Sequence, residues 1–205
     1  MQTKNNIEIT ELLNKIVFRD TDLILQDVGR VKSIEMSDED CFINIELGFH
    51  IESEITSYQN LFSEAVSSKL GSRKIRIKID SYIEPHGIKP TLTPSKGVKN
   101  IIAIASGKGA VAKSTTAANI ALALHQDGAR VGVLDADIYG PSQPLIFGIE
   151  NEQPTSNDGK TMNPLVAYGI QIISIGFLID AKQPMVWRGP MVTSALNQLL
   201  KQTLW

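Results

Sequence analysis

The stretch Asn100-Ile-Ile-Ala-Ile-Ala-Ser-Gly-Lys-Gly-Ala-Val-Ala-Lys-Ser-Thr115 decides the fold of the second half of this chain. Residues 100–105 are almost continuously apolar, which is typical of a strand buried on both faces of a parallel sheet. A Gly-rich turn follows at once, and from Lys113 to Gln126 good helix formers carry an apolar stripe. Residues 130–135 then predict a second buried strand. This order of strand, loop, helix and strand predicts a doubly wound parallel α/β sheet.

Residues 107–114 match the spacing of a phosphate-binding loop except at Ala112, where the pattern has Gly. A triphosphate needs backbone N–H groups directed at one point, the positive end of a helix dipole, a Lys for its β and γ oxygens, and a hydroxyl for Mg²⁺. Lys113 and Ser114 supply the Lys and the hydroxyl. A merely flexible turn before a helix is the alternative that the residues leave open. The predicted ATP-binding residues are Gly107, Lys108, Gly109, Ala110, Val111, Ala112, Lys113, Ser114 and Thr115.

The earlier part of the chain predicts a separate α+β domain over residues 1–80. Segments with apolar residues at helical spacing follow segments in which apolar and polar residues alternate, as in strands. The Pro- and Gly-rich residues 81–98 predict a linker. The elements expected in this αββαβ domain are a helix at Thr10–Phe18 behind a Thr10 cap, a hairpin of Gly29–Met36 and Asp40–Gly48, a helix at Tyr58–Leu70 and a strand at Arg73–Asp80.

Residues 99–205 are predicted to be the N-terminal part of a P-loop nucleotide-binding domain. Beyond the second strand we expect a loop at 151–163, a strand at Tyr168–Ile175 and a helix at Gly189–Leu204. The fold class is therefore α/β, with a small N-terminal α+β domain followed by an incomplete doubly wound domain.

The composition argues against several classes of partner. A formal net charge of -2 gives no long-range attraction to polyanions, so we expect no nucleic acid partner. We also expect no membrane partner, because no apolar run reaches the ~18 to 20 residues of a bilayer span and the N-terminus lacks the apolar core of a signal peptide. The single cysteine, Cys41, cannot form an internal disulfide, which favours the reducing cytoplasm.

Lys108, one residue after the first Gly, makes the loop resemble the deviant Walker A loop of septum-positioning, plasmid-partition and nitrogenase-iron-protein ATPases. The resemblance implies that Lys108 reaches across a dimer to the partner's nucleotide. It also implies that Asp135 lies near Mg²⁺ through water and that Asp137, on switch I, positions the attacking water. The residues themselves leave open a solvated loop Lys108 and a strand-end pair, Asp135 and Asp137, that caps a turn.

Two alanines depart from the loop of these relatives, which read Gly-Gly-Val-Gly-Lys where this chain reads Gly109-Ala-Val-Ala-Lys113. Where a left-handed backbone is required, Ala costs ~1 to 2 kcal/mol relative to Gly. Two such positions, Ala110 and Ala112, would remove ~2 to 4 kcal/mol, a roughly thirty- to thousand-fold loss of nucleotide affinity. We therefore predict weak or absent ATP binding, the alternative being a loop that relaxes around both methyl groups.

Taken together, the chain resembles the Mrp family of iron–sulfur cluster carrier ATPases. The resemblance implies ATP with Mg²⁺ as cofactors, a homodimer, and iron–sulfur assembly or apo-acceptor proteins as partners. It also implies that the domain continues beyond Trp205 with a strand carrying the switch II Asp and with a Cys-x-x-Cys pair that holds a bridging cluster. The matching stretches are Asp27–Val31, Ile45–Gly48, Ile101–Ala118, Val131–Pro144 and Met185–Met191.

Cys41 matches no cluster position of that family, so we expect this chain alone not to hold a cluster by the family's mechanism. The first interpretation is a nucleotide-binding carrier for cluster assembly with impaired, slow ATP hydrolysis. The alternative is a catalytically silent interaction module that acts only through its N-terminal domain. A partition-type ATPase is disfavoured, because those proteins lack the αββαβ leader and the Trp187-Arg-Gly-Pro190 stretch.

Overall fold

The computed structural model describes residues 2–18, 21–87, 93–178 and 189–205. The chain divides into two compact units, unit 1 at 1–84 and unit 2 at 85–205.

Unit 1 is a three-stranded sheet with two long helices. Its elements are α1 (Gln2–Asn14), α2 (Leu25–Val28), β1 (Gly29–Met36), β2 (Asp40–Leu47), α3 (Ile55–Leu70) and β3 (Lys74–Ser81). The sheet order is β1-β2-β3, with β1 antiparallel and β3 parallel to the central strand β2. Because β2 and β3 run parallel, α3 serves as the crossover between them. The predicted hairpin, second helix and last strand are confirmed, with α3 starting three residues earlier than expected.

The core of unit 1 is one apolar cluster between the sheet and its helices. Ile9 and Leu13 of α1 and Phe62 and Val66 of α3 are buried in one cluster with residues of the central strand. Alternate residues of that strand, among them Ile43, are buried with them, as expected for a strand with one face toward a core.

The predicted Thr10 helix start is wrong. The helix α1 begins at Gln2 and ends at Asn14, so Thr10 lies inside it. There its hydroxyl donates to the carbonyl oxygen of Asn6 at 2.8 Å, one turn earlier, which satisfies the polar group without a cap.

Unit 2 contains helices on both faces of a second three-stranded sheet. Its elements are α4 (Lys113–Gln126), β4 (Gly132–Asp135), α5 (Gln143–Ile146), β5 (Leu165–Ala167), β6 (Ile170–Ser174) and α6 (Gly189–Lys201). The order is β4-β6-β5, with β4 parallel and β5 antiparallel to β6. Ile172 packs in one cluster with Ala118 and Ala121 of α4, while Ile173 packs in another with Leu199 of α6. The two faces of β6 are therefore covered by different helices, which confirms the α/β class.

The predicted strand at 100–105 is wrong, since these residues form neither helix nor strand. Ile101 and Ile102 are each 66% exposed. A strand exists only through hydrogen bonds to neighbours, and in the described part of the chain β4 pairs with β6 alone. The apolar run is therefore left without a partner strand. The strand β5 was not predicted, and residues 187 and 188 of the Trp187-Arg-Gly-Pro190 stretch lie outside the described residues.

Candidate nucleotide-binding site

The loop before α4 is exposed along residues 105–112. Ala110 and Ala112 have φ values of 57° and 59°, in the left-handed region, whereas neither Gly107 nor Gly109 has a positive φ. Ala112 is also the N-cap residue of α4, directly before Lys113, and its carbonyl oxygen accepts the first helical hydrogen bond from the Thr116 N–H at 2.8 Å. The two residues of this loop that adopt the conformation favouring Gly are thus the two that carry a methyl group.

The N-terminus of α4 has no side-chain cap. The first N–H groups of a helix have no partner within the helix, and together with the helix dipole they attract anions. Ser106 shapes the entry to the loop, because its hydroxyl donates to the carbonyl oxygen of Lys108 at 2.7 Å and accepts from the Lys108 N–H at 3.2 Å. Lys108 is therefore held through its backbone, and its side chain is exposed.

Lys113 and Asp137, 24 positions apart in sequence, lie in contact in this structure. The Lys113 Nζ lies 3.2 Å from Asp137 Oδ2, and Asp137 Oδ1 accepts from the Gly140 N–H at 3.2 Å. The two side chains are 36% and 39% exposed, so the ion pair is partly screened by solvent and holds Lys113 only weakly.

Asp135 is a buried carboxylate at the carboxyl end of β4, only 5% exposed. Its Oδ2 accepts from the Ser142 N–H at 2.9 Å, the Gln143 N–H at 3.0 Å and the Ser174 hydroxyl at 3.3 Å. Its Oδ1 accepts from the Asp137 N–H at 3.1 Å. The carboxylate therefore ties the ends of two parallel strands to the segment that carries Asp137. Crevices outside the carboxyl ends of such strands are where α/β proteins bind ligands.

Sequence reasoning did not single out two residues of this site. Ser174 is fully buried at the end of β6, and Gln143 opens α5 with its side-chain Nε2 donating to the Ser114 carbonyl oxygen at 3.0 Å. Both contact residues distant in sequence, so no local pattern predicts them.

The one cysteine of the sequence lies in unit 1, in the central strand of its sheet. Cys41 is buried in β2, and burial raises the pKa of its thiol despite the nearby Arg73 guanidinium, which lowers it. No group of three or more His, Cys, Asp and Glu side chains able to hold a metal ion occurs in the part of the chain that is described. In that same part, none of the helices has the length and apolarity needed to cross a bilayer.

Residues 97–205 match the sequence profile of the ParA family, in the group described as NUBPL iron-transfer P-loop NTPases. This range is more than half of the chain. The chain belongs to this family. Membership in the iron-transfer P-loop NTPases agrees with the fold and with the loop at the start of α4, and it confirms the resemblance to Mrp-type carriers.

Relatives of this family member include named iron–sulfur cluster carrier proteins. One from Pseudomonas fragi is 52% identical over 142 residues, covering 69% of this chain and 50% of that protein. One from Haemophilus influenzae is 41% identical over 184 residues, covering 90% of this chain and 49% of that protein. The chain spans about half the length of these curated relatives.

A solved nucleotide-binding protein in complex with ADP, from Archaeoglobus fulgidus, is 33% identical. It superimposes with a TM-score of 0.42, covering 50% of this chain and 38% of that one. A superposition this loose carries no detail of that protein's site to this one.

Proposed function

We propose that this chain binds ATP with Mg²⁺ at the loop before α4, as part of an iron–sulfur cluster carrier. The observation that carries the proposal is the meeting of Lys113 with Asp137, at 3.2 Å, beside an uncapped helix N-terminus. A cation, free N–H groups and carboxylates at one strand end are the groups that a Mg²⁺-bound polyphosphate requires.

The side chains divide into phosphate and metal ligands. Loop N–H groups and Lys113 would bind the phosphate oxygens, and Ser114, by its hydroxyl, and Asp135, through water, are the residues that would hold Mg²⁺. Hydroxyl and carboxylate oxygens suit this hard cation, and Asp135 Oδ1 fits because it accepts only the Asp137 N–H in the described residues. When bound, Mg²⁺ neutralises charge on the phosphates. Asp137 then orients the attacking water.

Lys108 is proposed to act across a homodimer, as in the deviant Walker A ATPases. Its exposed side chain at the tip of the loop supports this role. Sedimentation velocity with and without ADP tests it: nucleotide-dependent dimerisation lost in Lys108→Ala supports the proposal. A monomer at all nucleotide concentrations contradicts it.

The iron–sulfur cluster is the substrate that a carrier transfers, and residues 1–205 do not supply the ligands that would hold it. Iron–sulfur clusters are held by thiolates, and the one cysteine of this sequence is buried with a raised thiol pKa. We propose that carriage draws its thiolates from outside these residues and involves assembly or acceptor proteins. A reducing cytoplasm suits an unpaired Cys41.

A second candidate is a nucleotide-silent interaction module that acts through unit 1. The left-handed backbone at Ala110 and Ala112 favours it, because two strained positions cost ~2 to 4 kcal/mol. Because the free loop already holds this conformation, the strain mainly lowers folding stability, and it lowers nucleotide affinity only to the extent that binding confines the loop to it more tightly.

Calorimetric titration with ADP and a non-hydrolysable ATP analogue separates the two candidates. In the first, the full chain binds in the presence of Mg²⁺, and Lys113→Ala lowers the affinity by at least about tenfold, since a charged contact to phosphate is lost. In the second, the wild type does not bind, whereas the double variant with Ala110→Gly and Ala112→Gly recovers affinity, because Gly adopts positive φ without a steric cost. Binding that is unchanged in Lys113→Ala contradicts the proposed site.

A further inference from the structure

Gln143 contacts two of the residues proposed to hold Mg²⁺. Its backbone N–H donates to Asp135 Oδ2 at 3.0 Å, and its side-chain Nε2 donates to the Ser114 carbonyl oxygen, also at 3.0 Å. The first contact fixes the end of β4, and the second fixes the first turn of α4. One residue of α5 therefore bridges the two elements that carry the proposed metal ligands.

Folding stability alone does not account for an amide at this position. Gln143 is 4% exposed, and its Oε1 is buried without a hydrogen-bond partner in the described part of the chain. A buried acceptor without a hydrogen-bond partner destabilises the fold by more than one hydrogen bond stabilises it. Met would fill a similar volume without that cost.

We propose that Gln143 is a positioning residue, which sets the separation between Ser114 and Asp135 so that both act on one Mg²⁺. The inference rests on the proposed function and adds a residue to it. The unpaired Oε1 is an acceptor suited to an O–H donor such as an ordered water.

The bridge predicts a specific split between two contributions to affinity. Phosphate contacts of the loop N–H groups and of Lys113 do not pass through Gln143. The contribution of Mg²⁺ does, because it depends on the placement of Ser114 relative to Asp135. Loss of the Nε2 donor should weaken the second contribution and spare the first.

The test uses the full chain as wild type, Gln143→Met and Gln126→Met. The last is a matched control, since Gln126 is exposed at the end of α4 and undergoes the same chemical change. Affinity for a fluorescent ADP is measured with Mg²⁺ and with a chelator, and the thermal midpoint is measured without nucleotide. In Gln143→Met the gain in affinity from Mg²⁺ should fall by about fivefold, as expected for one lost hydrogen bond. Its affinity in chelator and its thermal midpoint should match those of the wild type or exceed them.

Each other outcome overturns a defined statement. If Mg²⁺ raises the ADP affinity of Gln143→Met as much as it raises that of the wild type, the positioning role is overturned and the proposed function stands. Equal loss of both affinities together with a lower thermal midpoint shows a purely structural role and also overturns it. A wild type that binds ADP under neither condition overturns the proposed function, and the inference falls with it.

Discussion

At the scale of single residues, two methyl groups decide the conformational cost of the loop. Ala110 and Ala112 were expected to be strained if the loop needed a left-handed backbone, and both residues have positive φ. The neighbouring Gly107 and Gly109 do not have positive φ, so the loop has Gly at positions whose backbone conformation does not require it. Strain of this kind, held at the edge of a proposed ligand site, is a local cost that the rest of unit 2 offsets.

Relieving this strain should stabilise the protein. We expect Ala110→Gly and Ala112→Gly each to raise the free energy of unfolding by about 1 kcal/mol, because Gly adopts positive φ without a steric cost. Chemical denaturation followed by circular dichroism measures the change. Ala123→Gly is the matched control: this residue is exposed within α4, where the same substitution should cost about 1 kcal/mol. Equal losses at all three positions would contradict the strain argument.

The Lys113–Asp137 ion pair implies competition between a carboxylate and a phosphate. Asp137→Asn should raise the affinity for ADP, measured without Mg²⁺, by about two- to fivefold, because Lys113 no longer pairs with a carboxylate. The Lys113 amine should also acylate faster, as read by mass spectrometry. Asp127→Asn makes the same chemical change at the other end of α4 and should leave both values unchanged. Affinity and acylation that stay constant in Asp137→Asn would exclude the competition.

At the scale of elements, the patterns that were predicted correctly are those that local sequence determines. The local sequences of the β1–β2 hairpin and of the helices α3 and α4 each show the hydrophobic period of their element type. The structure contains all of these elements. Residues 100–105 carry an equally clear pattern, yet a strand requires a neighbour that local sequence does not provide. The contacts of Gln143 with Ser114 and of Ser174 with Asp135 join positions 29 and 39 apart, which is why no spacing rule indicated them.

The turn at 156–161 gives a prediction about pH. Asp158 Oδ1 accepts from the Thr161 N–H at 2.7 Å and the Lys160 N–H at 2.8 Å, and these bonds lower the pKa of Asp158 to about 2. A folded-state pKa below the unfolded value contributes stability at pH values above the unfolded pKa. That contribution is lost as the pH falls through about 2.

Carboxyl-carbon NMR titration measures this directly. We expect the Asp158 resonance to titrate with a midpoint near the low value, and we expect Asp158→Asn to remove the corresponding pH dependence of stability in the acid range. A midpoint at the ordinary Asp value would mean that the turn does not hold its hydrogen bonds in solution.

At the scale of the whole molecule, the two units differ in how completely they cover their apolar side chains. Unit 1 encloses one cluster between its sheet and two helices. Unit 2 leaves Ile101, Ile102 and, on α4, Ile120, Leu122 and Leu124 exposed. Within the described ranges β4 is an edge strand, and its free edge and these side chains mark the places where the sheet of unit 2 could accept further structure.

The enclosed core predicts that residues 1–84 fold by themselves. The isolated fragment should unfold in one cooperative transition by far-ultraviolet and near-ultraviolet circular dichroism, because its apolar cluster lies within unit 1. Phe62→Ala should lower its free energy of unfolding by about 3 to 5 kcal/mol, since Phe62 is fully buried, whereas Ser68→Ala on the exposed side of α3 should change it by less than about 0.5 kcal/mol. Transitions that fail to coincide, or a fragment without near-ultraviolet signal, would show that unit 1 depends on the rest of the chain. A cooperative fragment would instead allow unit 1 to be assayed for partner binding apart from the nucleotide site, which the second candidate function requires.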